Sequence, residues 1–169
     1  MRKVNSASKR VLDKLTEGLS RVGDHAKIDN AAGVFMPVSV EIVDRTPDGY
    51  LYVSVAHYGK LNGDLMRDPE MVFIKAPVSG DYFPSYFRND YIGCERLGVV
   101  SAEQVEGRTF FNFNPREQAD EAAFANTWMR NIRHQQRLFE KQRALSFCGS
   151  GILPRSEREH QEESIMEAK

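Results

Sequence analysis

The sequence predicts an α+β fold, an antiparallel β-meander of about five strands covered by an N-terminal and a long C-terminal helix. Three observations lead there. Apolar residues recur at helical spacing near both ends of the chain. Between those ends, apolar and polar residues alternate with period two, broken by Gly, Pro, Asn and Asp clusters. At 41% apolar and 28% charged residues, the composition is that of a chain able to bury a core.

The first helix is expected over residues 8–22, where Val11, Leu12, Leu15, Leu19 and Val22 share one face. Ser6 or Ser8 would cap it, and Gly23 would end it. The polar stretch DHAKIDNAAG reads as a connection. The sheet should then occupy residues of about 36–113. VSVEIV places Val38, Val40 and Ile42 on one face, and DRTPDG carries turn chemistry. YLYVSVAHY alternates again, with Leu51, Val53, Val55 and His57 together, so the two segments read as a hairpin. EMVFIKAPV supplies a third strand, and YFPSYF and DYIGCERLGVV supply one or two more. Pro84 points to an edge or an irregular strand, because proline cannot donate to a ladder. SAEQVEG reads as a helical turn and TFFNFN as a short strand. The second helix is expected over 119–146, with Phe124, Trp128, Ile132, Leu138, Phe139 and Leu145 as its apolar stripe. Asp120 and Glu121 at its start and Lys141 and Arg143 near its end would complement the helix dipole. Residues 1–146 would form one domain, and 147–169 a charged, flexible tail.

The bulk numbers exclude several classes. A net charge of −1 gives no whole-molecule attraction for nucleic acid, so any such contact needs a local patch. No run of about 18 apolar residues is present, and the basic start MRKVNSASKR has no apolar stretch behind it. Cys94 and Cys148 have neither metal-ligand nor redox-motif spacing. A cytoplasmic protein with reduced thiols is expected.

The stretch HYGKLNGDLMRDPEMVF, residues 57–73, concentrates chemistry. His57, Asp64, Asp68 and Glu70 together read as a metal or acid–base site, the carboxylates suiting magnesium and the imidazole suiting zinc or iron. The same residues read as turn chemistry. Asn62–Gly63–Asp64 and Asp68–Pro69 are turn sequences, Asp64 and Asp68 can accept backbone N–H groups, and Glu70 would face solvent. His57, on an apolar strand face, would be a satisfied core histidine. H-E-x-x-H, H-x-H and calcium-loop patterns are missing, as are phosphate-binding glycine motifs and the G-x-S-x-G elbow. The turn reading is therefore preferred, with no catalytic residues, no metal and no cofactor expected. His25, His134 and His160 sit among polar neighbours and read as surface residues.

Two surfaces remain for partners. Arg130, Arg133, His134, Arg137, Lys141 and Arg143 form a basic stripe on the second helix, which suits phosphates or an acidic protein and also reads as a solvated helix face. Tyr82, Phe83, Tyr86, Phe87 and Tyr91 form an aromatic stretch of the kind that anchors protein interfaces or stacks on single-stranded bases, and equally suits two faces of an ordinary strand pair.

VSVAHYGKLNGDLMRDPEMVF, then YFPSYFRNDYIG, then FANTWMRNIRHQ resembles an uncharacterised domain family of bacterial mobile elements and phages. The resemblance spans residues of about 36–138. GDLMRDPE at 63–70 is its most specific string, followed by a segment of the Y-x-N-D-x-x-G type and a closing helix with W-x-x-N. No activity is implied; accessory roles are, counter-defence among them. The leading expectation is a non-enzymatic accessory binding protein of a mobile genetic element. It would act by protein–protein contact and inhibit a host defence system (anti-CRISPR or anti-restriction). The partner-binding residues would be Tyr82, Phe83, Tyr86, Phe87, Arg130, Arg133 and Arg137. The alternatives are a metal-dependent hydrolase acting on nucleotide or nucleic acid through His57, Asp64, Asp68 and Glu70, and a nucleic-acid-binding module using the basic helix. A homodimer through the long second helix is also open.

Overall fold

The computed structural model describes residues 1–140. Helix α1 spans Ser6–Leu15. Strands β1 (His25–Ile28), β2 (Val38–Arg45), β3 (Leu51–Leu61), β4 (Asp64–Lys75), β5 (Tyr82–Asn89) and β6 (Cys94–Leu97) follow, then β7 (Val99–Val105), β8 (Arg108–Phe113) and helix α2, Pro115–Gln135. β1 to β6 pair in sequence order in one antiparallel sheet, and β7 with β8 forms a separate two-stranded ribbon. The α+β class and the antiparallel meander are as the alternation predicts. Among the described residues, no helix is long and apolar enough to cross a membrane.

One sheet face is covered. Val38, Val40 and Ile42 of β2, Val53 and Val55 of β3, and Met71 and Phe73 of β4 pack under Val11, Leu12 and Leu15 of α1 and Ala125, Trp128, Met129 and Ile132 of α2. Burying each large side chain contributes about 1.5–3 kcal/mol. Two glutamines close the seams. Gln118, 1% exposed, exchanges hydrogen bonds with the Arg2 backbone and donates to the Pro84 carbonyl. Gln136 accepts from the Asn30 N–H and donates to the Met36 carbonyl.

The hairpin turns follow from residue type. Leu61 pairs with Asp64 across Asn62–Gly63. Both turn residues have positive φ (53° and 94°), the requirement of the two-residue turn that matches strand twist. In the β2–β3 turn, the Thr46 hydroxyl donates to Asp48 and accepts from the Tyr50 N–H.

Several expectations are corrected. α1 stops at Leu15, not at residue 22; Thr16 caps it, with its hydroxyl donating to the Leu12 carbonyl. Asn5, not a serine, accepts the first-turn N–H of Ser8. Val22 is exposed, while Leu19 still packs on the core from a turn. The stretch read as a connection contains β1, which pairs with β2. The main sheet has six strands, in line with the five or so expected, but SAEQVEG is a strand of the ribbon rather than a helical turn. Pro84 lies inside the sheet rather than on an edge, and its strand is irregular, the other form expected: a register shift at Val72 and Phe73 leaves Ser85 unpaired, its hydroxyl donating to the Val72 carbonyl. α2 begins at Pro115, not at residue 119, because Asn114 caps it and proline suits the first turn. Glu117 is therefore the first-turn acid. α2 ends at Gln135; Arg137 and Phe139 have positive φ, which a helix cannot continue through. The rest of the expected helix, residues 141–146, and the expected tail, with Cys148, Gly149, Gly151 and His160, lie outside the described residues.

Candidate functional site

The chemistry-rich β3–β4 segment does not stand alone. The turn between β5 and β6 folds against it, and Asp90 is the hub. Its carboxylate accepts from the Arg67 N–H at 2.9 Å and from Arg88 Nε at 2.6 Å, and its own N–H donates to the Arg67 carbonyl at 3.0 Å. Arg67 Nη1 lies 3.5 Å away. These donors, the Arg67 backbone first and then Arg88, hold the Asp90 carboxyl below the usual carboxylate range. Arg88 is in turn driven further toward its charged form, chiefly by Asp90. Asn89 donates to Asp68 at 3.1 Å. The Tyr91 hydroxyl sits where a Cβ on Gly59 would be, so glycine is needed for the close approach. A groove of about 530 Å³ runs between the two segments, lined by Leu65, Met66, Arg67, Arg88, Asn89 and Cys94 among others. Cys94 is a half-buried free thiol. Around this end of the sheet Leu61, Leu65, Tyr91 and Ile92 are 47%, 62%, 41% and 71% exposed.

The four candidate metal ligands are not brought to one point. Asp64 is exposed at the hairpin tip. Asp68 bonds the Asn89 amide rather than a backbone N–H. Glu70 does not simply face solvent: it accepts from the Ser54 hydroxyl at 2.7 Å and pairs with Arg67 Nε at 2.6 Å, close but misaligned for a hydrogen bond. These two partners place it on the sheet face away from the helices, since Ser54 lies opposite Val72 while Val55 and Met71 point into the core. His57 lies on the covered face, edge-on to Trp128 with ring centroids 5.5 Å apart. Its Nε2 has no hydrogen-bond partner among the described residues, which departs from the satisfied core histidine expected. Burial lowers the His57 pKa, partly offset by the charge of Asp68. Among the described residues, no group of three or more His, Cys, Asp or Glu side chains is arranged to hold a metal ion.

The aromatic stretch divides between the faces. Tyr82, expected at a partner surface, is fully buried, its hydroxyl shared with Thr16 and donated to Asp13. Burial raises its pKa. Phe87 packs edge-on to Phe124 at 5.1 Å on the helix side. Phe83 and Tyr86 remain half-buried opposite Ile74 and Val72. On α2, Arg130, Arg133 and His134 are exposed and line a second hollow of about 350 Å³ against α1. Arg137, also exposed, lies beyond the helix end and outside this lining. His25 is exposed, as expected.

One buried acid lay hidden in the apparent dipole pattern. Glu121 is 2% exposed and, among the described residues, neither carboxylate oxygen makes a well-formed hydrogen bond. Burial pushes its pKa up to about 7, with the Gly98 backbone and Arg96 offsetting part of that and Glu117 adding to it. Gly98, between β6 and β7, is packed so tightly on the carboxylate that any Cβ there would overlap it. The helical pattern alone gives this away: Glu121 precedes Ala125 and Trp128 on the buried face of α2. Arg67, Arg88 and Asp90 were also missed; the adjacency of Asn89 and Asp90 to Gly93 was the available signal.

A family model matches residues 7–138. The chain belongs to the family described as Domain of unknown function (DUF6908). The match brackets α1 through the last turn after α2, wider than the 36–138 span of the sequence resemblance. An uncharacterised family is thus shown. Comparison with the curated proteins and with the solved structures returned no match.

Proposed function

We propose that this member of the family is a non-enzymatic binding protein that works by surface contact with a protein partner. One observation carries the reading: exposed Leu65 lines a groove in which Asp90 pairs with both Arg67 and Arg88, and exposed Leu61, Tyr91 and Ile92 lie at the end of β3 and in the β5–β6 turn, the segments next to that lining. Large apolar and tyrosine side chains beside oriented arginines are what interface hot spots are made of. Exposed apolar groups gathered at one end of a sheet mark contact sites. The aromatic contribution shifts from Tyr82 and Phe87 to Tyr91, with the half-buried Phe83 and Tyr86 on the sheet face away from the helices. The resemblance to mobile-element and phage proteins makes a host defence complex, a CRISPR effector or a restriction enzyme, the first partner to try.

Affinity capture with the full-length chain, followed by size exclusion of the complex, tests this. Leu65→Asp and Ile92→Asp, both on exposed positions, are expected to abolish capture while leaving thermal unfolding unchanged. Capture of nothing and inhibition of no defence system, or capture unaffected by both substitutions, would overturn the reading.

A further inference from the structure

We propose that the hollow between α1 and α2 is a binding site for a phosphoryl group carried on a ligand of nucleotide size. This site is separate from the sheet-end contact surface, so either proposal can fail without the other.

The hollow is lined from α2 by Asn126, Thr127, Arg130, Arg133 and His134, and from α1 and its cap by Asn5, Ala7, Ser8 and Val11. No carboxylate is among these residues. Arg130, Arg133 and His134 follow at i, i+3 and i+4, so one helix face presents all three to the same space. None of the three has a carboxylate within 4.0 Å among the described residues. Arg130 and Arg133 thus bring two cationic side chains to the lining of one recess that has no carboxylate among its described residues, a setting that favours a bound anion. Guanidinium forks fit the paired oxygens of a phosphoryl group, and asparagine, serine and threonine side chains add neutral donors.

The recess is also preorganised. The Asn5 N–H donates to Asn126 Oδ1 at 2.9 Å, which ties the start of α1 to α2 across the hollow. Asn5 Oδ1 in turn accepts from the Ser8 N–H. Arg133 stacks on Phe139, its guanidinium carbon 5.6 Å from the ring centroid, which orients the fork from outside. A volume of about 350 Å³ is at the small end for ligand pockets. It admits a phosphoryl group with a small attached moiety and is too small for a duplex.

The phosphoryl group has two sources, a free nucleotide or the backbone of a single strand, and the experiment separates them. The full-length protein is titrated calorimetrically with pyrophosphate, AMP and an oligothymidylate, at low and at moderate salt. Replacement of Arg130 and Arg133 by alanine is expected to weaken pyrophosphate and AMP binding about tenfold or more, while Arg137→Ala changes it less than about twofold. Arg130→Lys with Arg133→Lys keeps the charge and should recover only part of the affinity, because the forked geometry is lost. Binding of the oligothymidylate that is tighter, steeply salt-dependent and lost in the same double alanine variant assigns the phosphoryl group to a strand backbone. No binding of any probe at low salt, or binding that survives the double alanine replacement in a variant that unfolds at the wild-type temperature, overturns the proposal.

Discussion

Replacing Glu121 by glutamine isolates the cost of burying one carboxyl. In the unfolded chain this group ionises near 4.5, and in the fold at about 7. Between those values the folded protein holds a proton that the unfolded chain has released, so stability falls as pH rises from about 4.5 through 7. At roughly 1.4 kcal/mol per pH unit, the full loss is about 3 kcal/mol above neutrality. The direction is opposite to that of Asp90, whose depressed pKa contributes stability above its unfolded value and loses it in acid. Urea unfolding of wild type and Glu121→Gln, at about pH 5 and about pH 8, reads the difference while the remaining titrations cancel. The variant should be close to wild type at the lower pH and more stable by about 2–3 kcal/mol at the higher. An equal stability difference at both pH values would refute the account, since it would mean that Glu121 titrates alike in both states.

Trp128→Ala removes a side chain packed against His57 and Phe124 and should cost about 3–5 kcal/mol in denaturant unfolding. Gly98→Ala forces a Cβ into the Glu121 carboxylate and should destabilise by about 1–3 kcal/mol, with Glu121→Ala in the same chain recovering part of the loss in thermal unfolding. Asp90→Ala releases Arg67 and Arg88 together; faster hydrogen exchange of the Arg67 amide, with β2 protection unchanged, is the expected result. Asp48 accepts from the Thr109 N–H and hydroxyl, and with the hydroxyls of Thr109 and Thr46 on it, its pKa is lowered to about 2. Asp48→Ala should therefore speed exchange in residues 99–113 while residues 38–75 stay protected.

The sheet was legible wherever alternation and turn chemistry agreed. β2, β3 and the Asn62–Gly63 turn are where period two and residue type predict them. β1 escaped notice because HAKI is short and polar and owes its strand form to pairing with β2, a tertiary cause with no local signature. The excess length given to α1 came from Leu19 and Val22, which continue the helical period although the chain has already turned at Thr16. Pro84 signalled an edge or an irregular strand, and the second holds: a register shift accommodates it inside the sheet. The site was half legible. The Asn62–Gly63 turn was found, but the acidic residues after it, with Asp68–Pro69 read as a second turn, belong to β4, and Asp90, which bonds Arg67 among them, lies beyond β5, where only the folded register brings it in. Tyr82 looked like an interface residue because aromatic composition does not reveal which side of a strand faces the helices.

The two outermost strands of the main sheet, β1 and β6, have four residues each, against twelve in the central β4. Each margin thus presents only a brief row of unsatisfied amides and carbonyls. A foreign chain trying to extend the ladder would find little template on either flank, so fibril-like growth is disfavoured.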